Sequence, residues 1–245
     1  MSIKKKIINP FENNNTIRIN KYLSDSSVCS RRQADKYIED GKVTIDGKTA
    51  KLGDQVSKNQ QVRFAGKLLN YVEELILIAF NKPRGIECTE DKNVENNIID
   101  FINYEKRISY IGRLDKDSEG LILLTNDGDL DQLISKGSNY HEKEYVVQVN
   151  KAITSDFTKK MSRGVPILDT VTRPCTVIPI DKYTFKIIIT QGLNRQIRRM
   201  CEYFGYKVTK LRRIRIMNIT LGNLQVGTYR NVTETELERL KRDIQ

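Results

Sequence analysis

Apolar positions along this chain keep two different periods. Ile19, Tyr22 and Leu23, and then Ala34, Tyr37 and Ile38, recur at three-to-four spacing on either side of the polar stretch Ser24 to Ser30, which predicts two short helices joined by a turn. Gly41 is placed to close the second helix, and Val43-Thr44-Ile45 before Asp46-Gly47 predicts a hairpin. Further on the pattern changes. Leu75 to Phe80 and Leu121 to Thr125 are apolar runs too short for surface helices, bounded by Pro83 and Gly85 in one case and by Gly120 and Asn126-Asp127-Gly128 in the other; both predict covered strands. Lys143 to Val149 alternates and is rich in β-branched residues, a further strand, while Gly192 opens a basic helix whose buried side is Ile197, Met200 and Phe204.

These elements sort into an α+β chain of two modules. Residues 1–15 read as a disordered basic tail, 16–62 as a small helix-pair-and-hairpin module, 63–73 as a linker in which Leu68 and Leu69 are available to pack on a neighbour, and 74–245 as a larger module. No apolar run approaches the roughly 20 residues that cross a bilayer. Lys4-Lys5-Lys6 is followed by neither a signal core nor a cleavage site, so the chain is expected in the cytoplasm.

Charge narrows the partner. The formal net charge is +11, and Lys and Arg that neutralise phosphates gain free energy by releasing condensed counterions. Between residues 195 and 215 stand eight basic residues (Arg195, Arg198, Arg199, Lys207, Lys210, Arg212, Arg213 and Arg215) against one acid, Glu202, a density that calls for a phosphate backbone. Arg31 and Arg32 sit where the second helix begins, so that their side chains and the helix amides can face phosphate oxygens together. Four dispersed cysteines and one histidine, His141, argue against a zinc site or a disulfide framework.

The chemistry centres on Ser109 to Asp131, where Gly112-Arg113-Leu114-Asp115 leads through Ser118-Glu119-Gly120 into the apolar run. In extended backbone Arg113 and Asp115 project to one face, which sets a carboxylate beside a base at the mouth of a buried strand. The stretch resembles the catalytic loop of pseudouridine synthases, in particular the RsuA/RluB/RluE/RluF ribosomal RNA branch. Other pieces of that family recur in order: Lys82-Pro83-x-Gly85 with Thr89, Lys143-Glu144-Tyr145, Asn194-Arg195-Gln196-Ile197-Arg198-Arg199-Met200, and Lys210-Leu211-Arg212-Arg213, with Arg215 to Asn218 worded most like the RluF group. Residues 16–62 resemble an S4 RNA-binding module through R-x-N-K-Y-L, S-R-R-Q-A and G-x-V-x-I-D-G.

The resemblance implies a fold and a set of roles. The fold is a small S4-like module followed by a catalytic domain on a mixed, largely antiparallel sheet with flanking helices. Asp115 is then the catalytic carboxylate, Tyr145 the aromatic that stacks on the flipped base and serves proton transfer, and Arg198 the partner that keeps Asp115 ionised, with Arg195 and Arg199 as rivals for that place. Arg113 and Leu211 support the site, and Arg18, Lys21, Arg31, Arg32, Lys82, Arg195, Arg199, Arg212 and Arg213 meet RNA. The implied activity is isomerisation of a uridine to pseudouridine in large-subunit ribosomal RNA near the peptidyl-transferase centre, with transfer RNA as a second possibility, by a monomer using no metal or small-molecule cofactor.

Two other readings use the same residues. A non-catalytic RNA-binding assembly factor would keep the fold without turnover, but Asp115, Tyr145 and Arg198 occur together. A metal-dependent nuclease could use Asp127, Asp129 and Asp131, yet the calcium-loop pattern fails because Gln132 and Ser138 stand where Gly and Glu are needed. Turnover is therefore expected to survive excess EDTA. Loss of activity with chelator, restored by Mg²⁺ together with RNA cleavage products, would instead select the nuclease.

Overall fold

The computed structural model describes residues 7–8, 16–26, 28–69, 73–136 and 140–244, in two compact units. The first comprises Met1–Ile76 with Tyr104–Ile108 and Asn126–Gly128. Its elements are β1 (Ile7–Ile8), β2 (Thr16–Arg18), α1 (Ile19–Asp25), α2 (Arg31–Glu39), β3 (Val43–Ile45), β4 (Lys48–Thr49), β5 (Gln55–Ser57), β6 (Val62–Phe64), β7 (Lys67–Leu68) and β8 (Glu73–Glu74). The periodic residues named above, Ile19, Tyr22, Leu23, Ala34 and Ile38, are buried in one cluster with Val43, Val56 and Val62. Ser30 caps α2 through a capping box with Gln33.

Two expectations for this unit are corrected. Residues 63–69 are not a linker, because β6 and β7 continue the sheet in the order β4-β3-β6-β7 and Leu69 packs on the core; the stretch looks polar because Arg63 and Lys67 are on the exposed side of two short strands. Within the stretch 1–15, Ile7–Ile8 pairs antiparallel with Glu73–Glu74, and the rest of that stretch lies outside the described residues.

The second unit carries β9 (Leu77–Lys82), α3 (Ile98–Ile102), β10 (Ser109–Ile111), β11 (Glu119–Thr125), α4 (Gly128–Ser135), β12 (Lys143–Val149), α5 (Ser155–Ser162), β13 (Pro166–Ile167), β14 (Thr170–Val171), β15 (Thr176–Pro179), β16 (Thr184–Ile189), α6 (Gln196–Tyr203), β17 (Val208–Ile216), β18 (Ile219–Thr220), β19 (Tyr229–Asn231) and α7 (Glu234–Asp243). A nine-stranded sheet runs β15-β16-β12-β17-β11-β9-β19, with β10 on β11 and β18 on β17. Its pairings are antiparallel except the short parallel contact of β11 with β17. The mixed, largely antiparallel sheet is thus present. Every residue of β9, and every residue of β11 after Glu119, is buried, as apolar runs covered on both faces require. Among the described residues no helix is long and apolar enough to cross a membrane.

One glycine sets how closely the central strands approach. Gly120 has φ +111°, and a Cβ there would stand 2.2 Å from the Arg213 carbonyl oxygen and 2.7 Å from the Arg213 nitrogen. Neither backbone atom can move without breaking the β11–β17 contact. Gly120→Ala is expected to lower unfolding stability in urea by about 3 kcal/mol or more. Gly192→Ala, where a Cβ would meet nothing within 4 Å, should stay within about 0.5 kcal/mol of wild type. A fully stable Gly120→Ala chain would mean that β17 does not approach β11 at this point.

Candidate active site

The loop Gly112 to Ser118 joins β10 to β11 and is anchored along its length. At its start the Asp131 carboxylate accepts from the Gly112 N–H and from the Ser135 hydroxyl. Next, the Arg113 carbonyl accepts from Arg213 Nη1 at 3.3 Å, and the Leu114 N–H points at Cys88 Sγ at 3.5 Å. The Lys116 carbonyl accepts from the Gly85 N–H at 2.7 Å, and the Ser118 N–H closes the turn onto the Asp115 carbonyl at 3.0 Å. Gly85 is placed for this by Lys82, whose fully buried ammonium donates to the carbonyls of Pro83 and Ile86 at 2.9 and 2.7 Å. Asp115 is therefore held on both sides while its own side chain remains 29% exposed.

Two arginines from the start of α6 reach this loop. Arg195, in a left-handed conformation at the helix N-cap, donates from Nη1 and Nη2 to the two carboxylate oxygens of Asp117, each at 3.2 Å. Arg198, 8% exposed, donates from Nη2 to the Asp117 carbonyl at 3.1 Å and to Ser118 Oγ at 3.2 Å, with Asp117 Oδ2 at 3.3 Å. Asp115 Oδ2 lies farther off, 3.8 Å from Arg195 Nη1 and 3.9 Å from Arg198 Nε. Arg198 Nε is buried and has no hydrogen-bond partner among the described residues. Burial alone would push the Asp117 carboxyl up, but the Arg195 hydrogen bonds and the charges of Arg198 and Arg195 outweigh it and hold it below its ordinary value.

A cleft of about 640 Å³ opens beside the loop. Register puts Tyr145 of β12 opposite Arg213 of β17, and Val147 opposite Leu211, next to a bulge at Glu144/Tyr145. Tyr145, Leu211 and Arg213 line the cleft with Asp115, Cys88 and Lys143. Arg213 is 2% exposed. Its Nε donates to the Leu121 carbonyl at 2.6 Å and its Nη1 to the Tyr145 hydroxyl at 3.4 Å. Burial, and then the Arg213 charge, pull the Lys143 ammonium down to about 8. Among the described residues no group of three or more His, Cys, Asp or Glu could hold a metal ion.

Comparison with known proteins assigns both modules to families. Residues 76–203 match the family model described as RNA pseudouridylate synthase, and residues 17–62 match the S4 domain. The chain is 53% identical over 224 residues to the dual-specificity RNA pseudouridine synthase RluF of Escherichia coli K12, covering 91% of this chain and 77% of that one. It is 33% identical to the ribosomal large subunit pseudouridine synthase B of Bacillus subtilis 168, covering 91% and 95%. A crystal structure of a pseudouridylate synthase superposes with a TM-score of 0.67 at 30% identity, covering 91% and 99%. The chain belongs to the RNA pseudouridine synthase family. Within it this synthase is of the RluF type, an isomerase acting on RNA.

The residues singled out in the sequence of the synthase fall into three groups. Asp115, Tyr145, Leu211, Arg113, Arg195 and Arg213 line the one cleft, and Arg198 stands behind Asp115. Arg199 does not reach the carboxylate; it bonds the carbonyl and side chain of Asn194 at 3.1 and 3.2 Å. Arg113 is exposed, and among the described residues the ion pairs of Asp115 go to Arg195 and Arg198 rather than to it, although both side chains line the cleft. In the first unit Arg18 and Arg32 are exposed, Arg31 is half-buried, and Lys21 pairs with Asp25 at 2.6 Å. Arg212 is half-buried with Glu119 at 3.9 Å.

Two residues expected on the RNA-facing surface are inside instead. Lys82 has no exposed surface and is spent on local carbonyls, and Arg213 is buried between strands. Sequence reading missed Asp117 and Lys143. The Asp-x-Asp spacing of 115 and 117 beside two arginines was a signal for the first; the i, i+2 spacing of Lys143 and Tyr145 was a signal for the second.

The depressed Asp117 carboxyl gives a pH test. Its ordinary value is 3.8 and the folded value lies lower, so the stabilisation is complete above 3.8 and is lost as pH falls through the depressed value. Asp117→Asn is expected to melt below wild type at pH 7, with the gap closing below about pH 4. A gap that stays constant across that range would mean that the arginine pairing contributes nothing.

Proposed function

We propose that this synthase isomerises one uridine in large-subunit ribosomal RNA near the peptidyl-transferase centre, acting as a monomer. The observation that carries the reading is Asp115, fixed by its backbone at the mouth of the cleft, its carboxylate between two arginines and across from Tyr145. The B. subtilis relative is named for the large ribosomal subunit and the E. coli one for dual specificity, which together support the ribosomal assignment and a second RNA substrate, for which we propose a transfer RNA. The reaction breaks the N1–C1′ bond, turns the uracil and forms C5–C1′. A proton leaves C5 and one is gained at N1, so no oxidant or reductant is needed.

The target base must first leave its stack, at a cost of a few kcal/mol, and the aromatic face of Tyr145 with the basic walls offsets it. Arg113, exposed at the rim, fills the vacated place. Asp115 acts at the sugar, as nucleophile at C1′ or as the base that deprotonates it, and Arg198 orients it. Tyr145 stacks on the base and carries the C5 proton away. The S4-like unit holds the flanking RNA through Arg18, Arg31 and Arg32.

Tritium release from uridine labelled at C5 reads the reaction without knowledge of the site. Asp115→Asn is expected to keep fold and RNA affinity while lowering release by roughly 10⁴-fold, and adding Arg198→Ala should cost little more because the two act as a unit. Tyr145→Phe should bind RNA normally and lose about 10²-fold in rate. Release by Asp115→Asn at the wild-type rate would overturn the catalytic assignment. Mapping pseudouridine in total RNA with and without the gene tests the substrate: the position lost should lie in the large-subunit RNA.

A further inference from the structure

Among the described residues, two cations in the cleft wall have no ion-pair partner. Lys143 and Arg213 both line the cleft, and among the described residues no acid lies within ion-pair distance of either. Among the described residues Lys143 Nζ has only a long contact to the His141 carbonyl at 3.5 Å, and Arg213 Nη2 is buried with no hydrogen-bond partner. Placing two like charges together out of water is unfavourable unless something negative joins them. Tyr145 lies next to Lys143 along its face of β12 and Ile189 and Ile216 stand at the register positions beside it, while the titratable groups that act on the pair are His141 on Lys143 and Lys82 and Cys88 on Arg213. None of these is a carboxylate. Asp115, Glu87, Cys88 and Arg195 line the same cleft, and among the described residues neither carboxylate comes within ion-pair distance of Lys143 or Arg213.

We propose that Lys143 and Arg213 form the site that receives the detached uracil as an anion. This rests on the reading of the cleft given above. When N1–C1′ breaks, the bonding pair stays on the ring and its charge spreads over N1, O2 and O4. Lys143 and Tyr145, two apart on one strand, project to the same side, and the Arg213 guanidinium carbon lies 5.9 Å from the Tyr145 ring centroid. A base held against that ring therefore meets a wall that carries both cations. As it turns, its oxygens exchange places between the two donors and the charge is never left unanswered. The charge disappears when C5–C1′ has formed, C5 has lost its proton and N1 has gained one. Lys143 is thus a further catalytic residue, acting on the base as Asp115 acts on the sugar.

The test compares wild type, Lys143→Met and Lys143→Arg in single-turnover tritium release and in RNA binding. Lys143→Met should bind RNA within about twofold of wild type and lose about 10²-fold in rate, the scale for removing one donor at a developing anion. Lys143→Arg should recover most of that loss. The wild-type kcat/KM should fall above about pH 8, where the Lys143 ammonium loses its proton, and that of Lys143→Arg should hold to higher pH. A substrate carrying a neutral methylphosphonate 5′ to the target uridine separates the base from the backbone: the Lys143→Met deficit should be unchanged on it. A deficit that vanishes there would make the ligand a phosphate, and a Lys143→Met rate within threefold of wild type would make the lysine structural; either overturns the proposal. A wild-type chain that forms no pseudouridine would instead overturn the reading beneath it.

Discussion

A guanidinium buried within a sheet is the constraint around which this enzyme is built. Arg213 at 2% exposure touches β11 through the Leu121 carbonyl, the loop through the Arg113 carbonyl and β12 through the Tyr145 hydroxyl. Three elements that share no local sequence are thereby fixed to one planar group. A charge so placed is costly unless its donors are used, and the cost is what makes the arrangement specific: if a strand shifts by one residue, the guanidinium loses its partners. Gly120 permits the approach by having nothing to put in the way.

The second arginine system works by division of labour between two carboxylates. Asp117 takes the short contacts with Arg195 and Arg198, whereas Asp115 remains at 3.8 and 3.9 Å from the same side chains. A bidentate pair is rigid and satisfied. Using Asp117 for that pair holds the cations in place and leaves the Asp115 oxygens uncommitted, in a positive field yet open to the cleft. Arg198 Nε, buried and without a hydrogen-bond partner among the described residues, lies 3.9 Å from Asp115 Oδ2.

Much of this was visible in the chain before any coordinates. The runs Leu75 to Phe80 and Leu121 to Thr125 could only be covered strands, and Gly112 to Asp115 between them marked the loop. What could not be read is which basic residues turn inward. In Lys210 to Ile216, bases and aliphatics interleave so that either face could be the wet one, and the choice is made by β12 and β11 on the two sides. Lys82 sat in a sequence that signals only a turn, and its burial follows from carbonyls that the turn itself leaves unpaired. The strands at residues 62–68 were obscured because a two-residue edge strand carries too few side chains to show a period.

The parallel pairing within the nine-stranded sheet, Glu119 to Arg212 and Gly120 to Arg213, joins segments about 90 residues apart in a sheet otherwise tied by antiparallel neighbours. Loop-closure entropy makes such a contact slow to form, and none of the intervening strands can substitute for it. During synthesis the carboxylate loop leaves the ribosome long before the strand that completes its cleft. The nascent chain can therefore acquire its RNA-binding unit first and bind RNA while it is still unable to change it, and competence for chemistry arrives only with the last fifth of the polypeptide.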